Sequence, residues 1–193
     1  LTAFMKRYPD VKIDLMMADS FVDIVENGLD LLIRIGNRPD SSLISHHIGT
    51  TRRVTVATTG YFEQAGEPQT PDDLVDRDCI VYTHLSTGNE WHFQGTDGTI
   101  KVQVGGCFQT NSSVAIRAAV LSGLCIAVAP VWMFGDEIYR GDLKVVLEDY
   151  QPTPLPINGV YRRSRFYPAK IVCFIDFLEA EFKIDPWVSD YGI

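Results

Sequence analysis

Apolar and polar positions along this chain switch between two spacings, and each switch marks a change of element. Leu1 to Tyr8 has the spacing of a helix end, stopped by Pro9. Val11-Lys12-Ile13-Asp14-Leu15 alternates apolar with polar and predicts a half-buried strand. Ser20 and Asp23 then stand as in a capping box. Phe21, Ile24 and Val25 follow at helical spacing, with Gly28 a natural stop. The nearly continuous apolar run Leu29–Ile35 predicts a strand covered on both faces. Strand, helix and strand in so short a span predict a βαβ unit with a parallel sheet.

The pattern continues through a polar loop, Gly36 to Ser45, and a strand over Arg53–Thr58. Thr70-Pro71-Asp72-Asp73 supplies a cap, a first-turn proline and an acid, so a short helix starts there. Cys79–Tyr82 reads as a buried strand. Trp91–Val104 reads as a hairpin turning at Asp97-Gly98, with Ile100, Val102 and Val104 on one face. Thr110–Ser113 offers several caps for a helix running to Leu121 and closed by Ser122-Gly123. A buried strand, Leu124–Ala129, ends at Pro130; a helix over Trp132–Arg140 ends at Gly141; Leu143–Leu147 and Ile157–Tyr161 are strands. Pro168 opens a closing helix with the apolar stripe Ile171, Phe174, Ile175, Leu178 and Phe182. Two groups of strands and helices with an inserted hairpin imply two α/β lobes, and no Gly/Ser linker marks where one becomes the other.

Composition narrows the functions. With 46% hydrophobic and 22% charged residues over 193 positions, this is an ordinary globular balance. The net charge of −8 repels phosphate backbones, so these residues are a poor nucleic-acid surface, although a few local groups can still hold an anion. No apolar run approaches the roughly 20 residues of a membrane-crossing helix, and no membrane partner is expected. The four cysteines lack C-x-x-C spacing. Cys79, Cys125 and Cys173 lie in apolar runs, as free core thiols do; this favours the cytoplasm, with no metal and no cofactor. No G-x-S-x-G, P-loop or G-x-G-x-x-G occurs, so an enzyme is not expected.

The segment Phe21-Val-Asp-Ile-Val-Glu-Asn-Gly-Leu-Asp-Leu-Leu-Ile-Arg-Ile-Gly36 resembles the effector-binding domains of LysR-type transcriptional regulators. So do Arg7-Tyr-Pro-x-Val11, Pro39-Asp-Ser-Ser-Leu43, Gly66-x-Pro-x-Thr-Pro-Asp-Asp-Leu74, Ala115-Ile-Arg-Ala-Ala and Phe174-x-x-Phe-Leu178, in order along nearly the whole chain. The resemblance implies two Rossmann-like lobes joined by two crossover strands, the type 2 periplasmic-binding-protein-like fold. Lobe I would be 1–55 plus 158–193, and lobe II 56–157, with crossovers at Arg53–Ala57 and Ile157–Tyr161. It also implies a small-molecule effector between the lobes, and a homodimer or homotetramer formed through lobe I at the helix ending near Tyr8 and the strand Val11–Leu15. DNA would be met only through a winged helix-turn-helix ahead of Leu1. The lobe's first strand is expected there too, so part of the pocket would lie outside these residues. A periplasmic solute-binding protein shares this architecture and is the rival reading.

In open α/β sheets, ligands sit beyond the carboxyl ends of strands, where helix N-termini present free N–H groups. Thr110, Asn111 and Ser112 fit that rule best, since one cap needs only one of these polar side chains. Asp19 and Ser20 open the first complete helix; they are cleft residues by resemblance or plain caps. Arg34, Ile35 and Gly36 end a strand, where Arg34 can pair with an effector carboxylate or with one of the chain's own acids. Thr83 and His84 end another strand, although a lone histidine is commonly structural. Pro130 and Val131 can offer backbone to a ligand, while Trp132 fits the core. His46-His47 point to opposite sides of an extended chain, which disfavours a metal site. Arg162, Arg163 and Arg165 fit a solvated face.

Overall fold

Strand β10 (Leu155–Arg162) is paired on both sides, and everything in the first part of the fold is arranged around it. The computed structural model describes residues 1–20, 22–36, 43–163, 168–185 and 188. It divides into two units, Leu1–Thr51 with Leu155–Ile193, and Arg52–Pro154.

In the first unit, β10 runs antiparallel to β1 (Leu32–Ile35) on one side and to β2 (Leu43–Thr51) on the other. Helix α5 (Ala169–Ile184) lies on β2. Ile171 and Ile175 pack with Ile48, joined by the half-buried Leu178 and Phe182. That is four of the five residues of the expected stripe. The fifth, Phe174, turns to α1 (Thr2–Arg7), meeting Phe4 edge-on at 4.8 Å, with Phe177 at 5.2 Å.

Several expectations for this unit fail, the first three for related reasons. Residues 11–18 are not a strand: alternation supplies a face, but a strand also needs a neighbour for its N–H and C=O groups, and no described strand pairs with them. The helix from Ser20 is a single turn. Its cap is Asp23, whose Oδ1 accepts from Val25 N at 2.6 Å and Glu26 N at 2.9 Å; Phe21 lies outside the described residues. Gly28, at φ +63°, ends that turn as expected. The βαβ unit is therefore not formed, and the three-stranded sheet is antiparallel throughout. β1 is an edge strand and is not covered on both faces as expected, since Ile33 and Ile35 share a face and are 38% and 41% exposed. The loop expected to reach Ser45 gives way to β2 from Leu43, while residues 37–42 lie outside the described set. Within β2, His46 and His47 alternate as expected; His46 bonds Glu179 of α5 at 2.6 Å.

In the second unit, β3 (Arg53–Thr58) is central to an antiparallel sheet with β8 (Ala127–Pro130) and β9 (Leu143–Val146). Strands β4 (Asp78–Tyr82) and β7 (Gly105–Thr110) pair in parallel, and an isolated parallel bridge, Cys79 to Ile126, ties β4 to the segment leading into β8. The hairpin β5 (Glu90–Gly95) and β6 (Gly98–Gln103) is present, with Thr96 and Asp97 as its two loop residues and Gly98 at φ +126°.

Alternation along these strands makes two cores. Ala57, Cys79, Phe93, Val102 and Ile126 are buried on one side, with Phe62 of α2 (Thr59–Ala65). Val56, Ile80, Cys125, Ala127 and Phe134 are buried on the other, with Ile116 and Val120 of α3 (Ser113–Leu121). Helix α4 (Gly135–Arg140) ends at Gly141 in the left-handed region, as expected, but a short 3-10 turn over Val131–Met133 replaces its first turn. The short helix at Pro71–Leu74 is likewise 3-10, with Asp73 Oδ2 accepting from Thr70 N at 2.9 Å.

Candidate functional site

Two parallel registers bring separate segments of the second unit to one end of the sheet. Tyr82 pairs with Thr110, and Cys79 with Ile126. Four residues on from that bridge, Thr83 and Pro130 therefore leave their strands at the same end as Thr110. Helix α3 begins there. This is the carboxyl end of parallel strands beside a helix N-terminus, where backbone N–H groups face outward.

The local bonds explain the geometry. Thr83 N donates to Thr110 O at 2.9 Å, so the two strand ends are fastened together. Thr110 Oγ1 accepts from Ser112 N at 3.1 Å, and Ser112 Oγ caps α3 by accepting from Ala115 N. Asn111 between them is exposed. Two of the three polar side chains are thus spent on structure, and the amide of Asn111 is the one turned to solvent. His84 is exposed, its ring edge-on to Tyr82 at 5.8 Å.

Other expected groups fare less well. Val131 is 1% exposed, with its N–H on Arg52 O and its carbonyl on Phe134 N, so little of it is left for a ligand. Pro130 is half-buried. Trp132, expected in the core, is 44% exposed because the 3-10 turn puts Val131 and Phe134 inward instead. In the first unit, Asp19 and Ser20 sit exposed on a bend, where Ser20 does not act as the cap. Arg34 lies opposite Asn158 and already has a partner; Ile35 is 41% exposed; Gly36, at φ +98°, donates to Pro156 O at 2.8 Å. Nothing lies within 4 Å of where a Cβ on Gly36 would stand. Depressions of about 210 Å³ along Lys144–Tyr150 and about 510 Å³ between α1 and the end of α5 contain none of these candidates.

One positioning device was invisible in the sequence because its members are far apart in it. Arg117 of α3 makes a two-pronged bond to Glu137 of α4, at 2.6 and 3.0 Å, and also donates to Met133 O. Arg140 adds a third contact to Glu137 at 3.3 Å. Arg117 holds the Glu137 carboxyl below its usual range, chiefly by hydrogen bonding. A carboxyl depressed in the folded state stabilises it above the ordinary carboxylate range, and that contribution fades as pH falls through the folded value. Glu137→Gln is expected to lower the melting temperature at about pH 7, with the gap to wild type closing towards about pH 3. A gap that stays constant with pH would mean that the pair is not what fastens α3 to α4.

The Cys79 thiol is not set up as a nucleophile. Burial pushes Cys79 up to about 12, leaving it protonated at neutral pH. Cys79 and Cys125 lie on adjacent segments but on opposite faces, one in each core, so a disulfide between them would require the backbone to turn over. Among the described residues no group of three or more His, Cys, Asp or Glu side chains could hold a metal. No described helix is long and apolar enough to cross a membrane.

A family model described as the LysR substrate binding domain matches residues 1–183. An uncharacterised HTH-type transcriptional regulator of Haemophilus influenzae is 33% identical over 171 residues, covering 89% of this chain and 59% of the relative. The HTH-type transcriptional activator AaeR of Escherichia coli is 32% identical over 184 residues, covering 94% and 59%. The chain thus spans about three-fifths of the length of these relatives. Among solved structures, full-length AphB of Vibrio cholerae superposes with a TM-score of 0.77 at 30% identity, covering 93% of this chain and 61% of that one. The regulatory domain of CrgA from Neisseria meningitidis gives 0.81 at 25% identity, covering 93% and 88%. These neighbours are regulatory domains of the two-lobed α/β class, and the relatives are named as regulators rather than solute-binding proteins.

Proposed function

From the premise that this chain belongs to the LysR substrate binding domain family, we propose that it is the ligand-sensing part of a bacterial transcriptional regulator, not an enzyme. The residues we assign to the effector in the second unit are Thr83, His84, Thr110, Asn111 and Ser112. The observation that carries this reading is the exposed amide of Asn111, set between two engaged neighbours at the start of α3, where parallel strands end. N–H groups and a helix dipole there favour a small polar or anionic metabolite.

The longer protein would act on DNA in the cytoplasm through its headpiece. A bound effector shifts the balance of two domain states only by its difference in affinity for them, and a few kcal/mol inverts a modest bias.

A thermal-shift screen of carboxylates, aromatic acids and amino acids tests the reading, followed by calorimetry on wild type and Asn111→Ala/Ser112→Ala. A hit raises the melting temperature by mass action, and the double variant is expected to lose at least about tenfold in affinity, or 1.4 kcal/mol. An undiminished affinity in the double variant would move the site away from α3.

Self-association is proposed through the first unit. Phe4 is internal, so α1 cannot offer it to a partner. Leu15, Met16 and Met17 are 57, 49 and 85% exposed, an apolar run that water does not favour. Met17→Asp is expected to lower the solution mass measured by sedimentation without unfolding the domain; an unchanged mass would place the interface elsewhere.

A further inference from the structure

Arg53 opens β3 beside Pro130 and therefore stands at the same end of the sheet as Thr83 and Thr110. It is on the other face. Along β3, Arg53, Thr55 and Ala57 share the side of the core that holds Phe93 and Ile126, whereas Val54 and Val56 face α3. The guanidinium is half-buried, and its Nε donates to Thr153 O at 2.7 Å. An arginine carries five N–H donors, and among the described residues that carbonyl is the acceptor seen for it. No carboxylate is paired with it among the described residues. Burial lowers it to about 10, with no neighbouring acid to offset the loss of water. Two residues along the same face, Thr55 is 1% exposed, and its Oγ1 has no hydrogen-bond partner.

Buried charges are ordinarily paired, and buried hydroxyls are ordinarily bonded. Here a half-buried guanidinium with no paired carboxylate among the described residues and a buried hydroxyl with no partner share one strand face. We propose that Arg53 and Thr55 form an anion site in the second unit, taking an oxyanion or the carboxylate of a small organic acid. The free edge of the guanidinium fork offers two parallel N–H groups, the arrangement that matches a carboxylate's two oxygens. The Thr55 hydroxyl lies deeper, with a proton to donate. This site is separate from the effector residues at α3, which lie across the sheet, and it stands or falls independently of them.

The test is thermal unfolding of the 193-residue chain in sodium acetate, sodium benzoate and sodium phosphate, at one ionic strength made up with sodium chloride. At ten times the dissociation constant, a site ligand raises the melting temperature by roughly 3–5 °C for a chain of this size. That shift is expected in wild type, reduced in Arg53→Lys and Thr55→Val, and lost in Arg53→Met. Arg53→Met itself is expected to fold and to melt no lower than wild type, because it replaces an unpaired charge with an apolar stem of similar length. Equal response to acetate, benzoate and phosphate identifies a site for free small anions. A response to benzoate well above acetate identifies the carboxylate of a larger molecule. The proposal is overturned if none of the three anions raises the wild-type melting temperature, or if Arg53→Met keeps the shift. Loss of the shift in Asn111→Ala/Ser112→Ala but not in Arg53→Met would assign the anion to the effector residues instead.

Discussion

Gly106→Ala is expected to destabilise the second unit by about 3 kcal/mol or more, whereas Gly105→Ala, one residue away, costs little. A Cβ on Gly106 would stand 2.0 Å from the carbonyl oxygen of Cys79 and 2.9 Å from that residue's backbone N and C. These are backbone atoms of the paired strand, so no side-chain rotation relieves the clash. A Cβ on Gly105 would meet nothing within 4 Å. The clash falls at the register irregularity between Asp78 and Ile80, where positions 106 and 107 of β7 stand against Cys79 alone. At roughly 2–4 °C per kcal/mol for this size, the melting temperature should fall by about 6–12 °C. Forcing β4 from β7 also parts Thr83 from Thr110, so affinity for any effector at α3 should fall with it. Equal melting of the two variants would show that the strands are not so close in solution.

Phe4→Ala has the next largest effect, about 3–5 kcal/mol on the first unit. Helix α1 is six residues long and has no side-chain cap. A helix of that length does not persist in water on its own propensity. What holds it is one ring, 1% exposed, in contact with Tyr8, Phe174 and Phe177. Without that ring, amides of residues 1–8 should exchange with solvent at least tenfold faster by mass spectrometry, while α3 is unaffected. Unchanged protection over 1–8 would mean that contacts other than the aromatic cluster anchor α1.

These two residues also show what could be read in the sequence. Phe4 is one of a helical set ahead of Pro9, and the helix is there. Elements whose limits are set by local chemistry were legible in the same way: the Asp97-Gly98 hairpin, the cap at Ser112, the stop at Gly141 and the stripe along α5. Gly106 belongs to β7, which the pattern did not reveal. A strand beginning Gly-Gly has little apolar signature, and it exists because β4 accepts it as a close neighbour. The reverse happened at Val11–Leu15, where alternation promised a strand that no described neighbour completes. β2 was hidden by its histidines and threonines, polar residues on a strand half covered by α5.

For the site, sequence offered Thr110–Ser113 as caps ahead of a helix, and of these Ser112 is the cap, while the parallel registers bring Thr83 and Pro130 to the same end. It did not show that Val131 spends its backbone on Arg52 and Phe134, or that Arg117 and Glu137 hold α3 in place. Those are long-range pairings, and they leave no local period.

The second unit, Arg52–Pro154, is an uninterrupted stretch of chain, whereas the first is made from two ends that meet at β10. During synthesis the whole second unit is made before the strand that pairs β1 with β2. At about 5–20 residues per second, residues 1–51 wait roughly 5–20 s for their partner. During that interval β1 and β2 have unpaired edges on both sides, the apolar run Leu15–Met17 is uncovered, and Phe4 has no α5 to meet. Newborn chains should therefore be open to chaperones and proteases through residues 1–51 during that interval. Slowing translation over the codons for Arg52–Pro154 should lengthen that exposure.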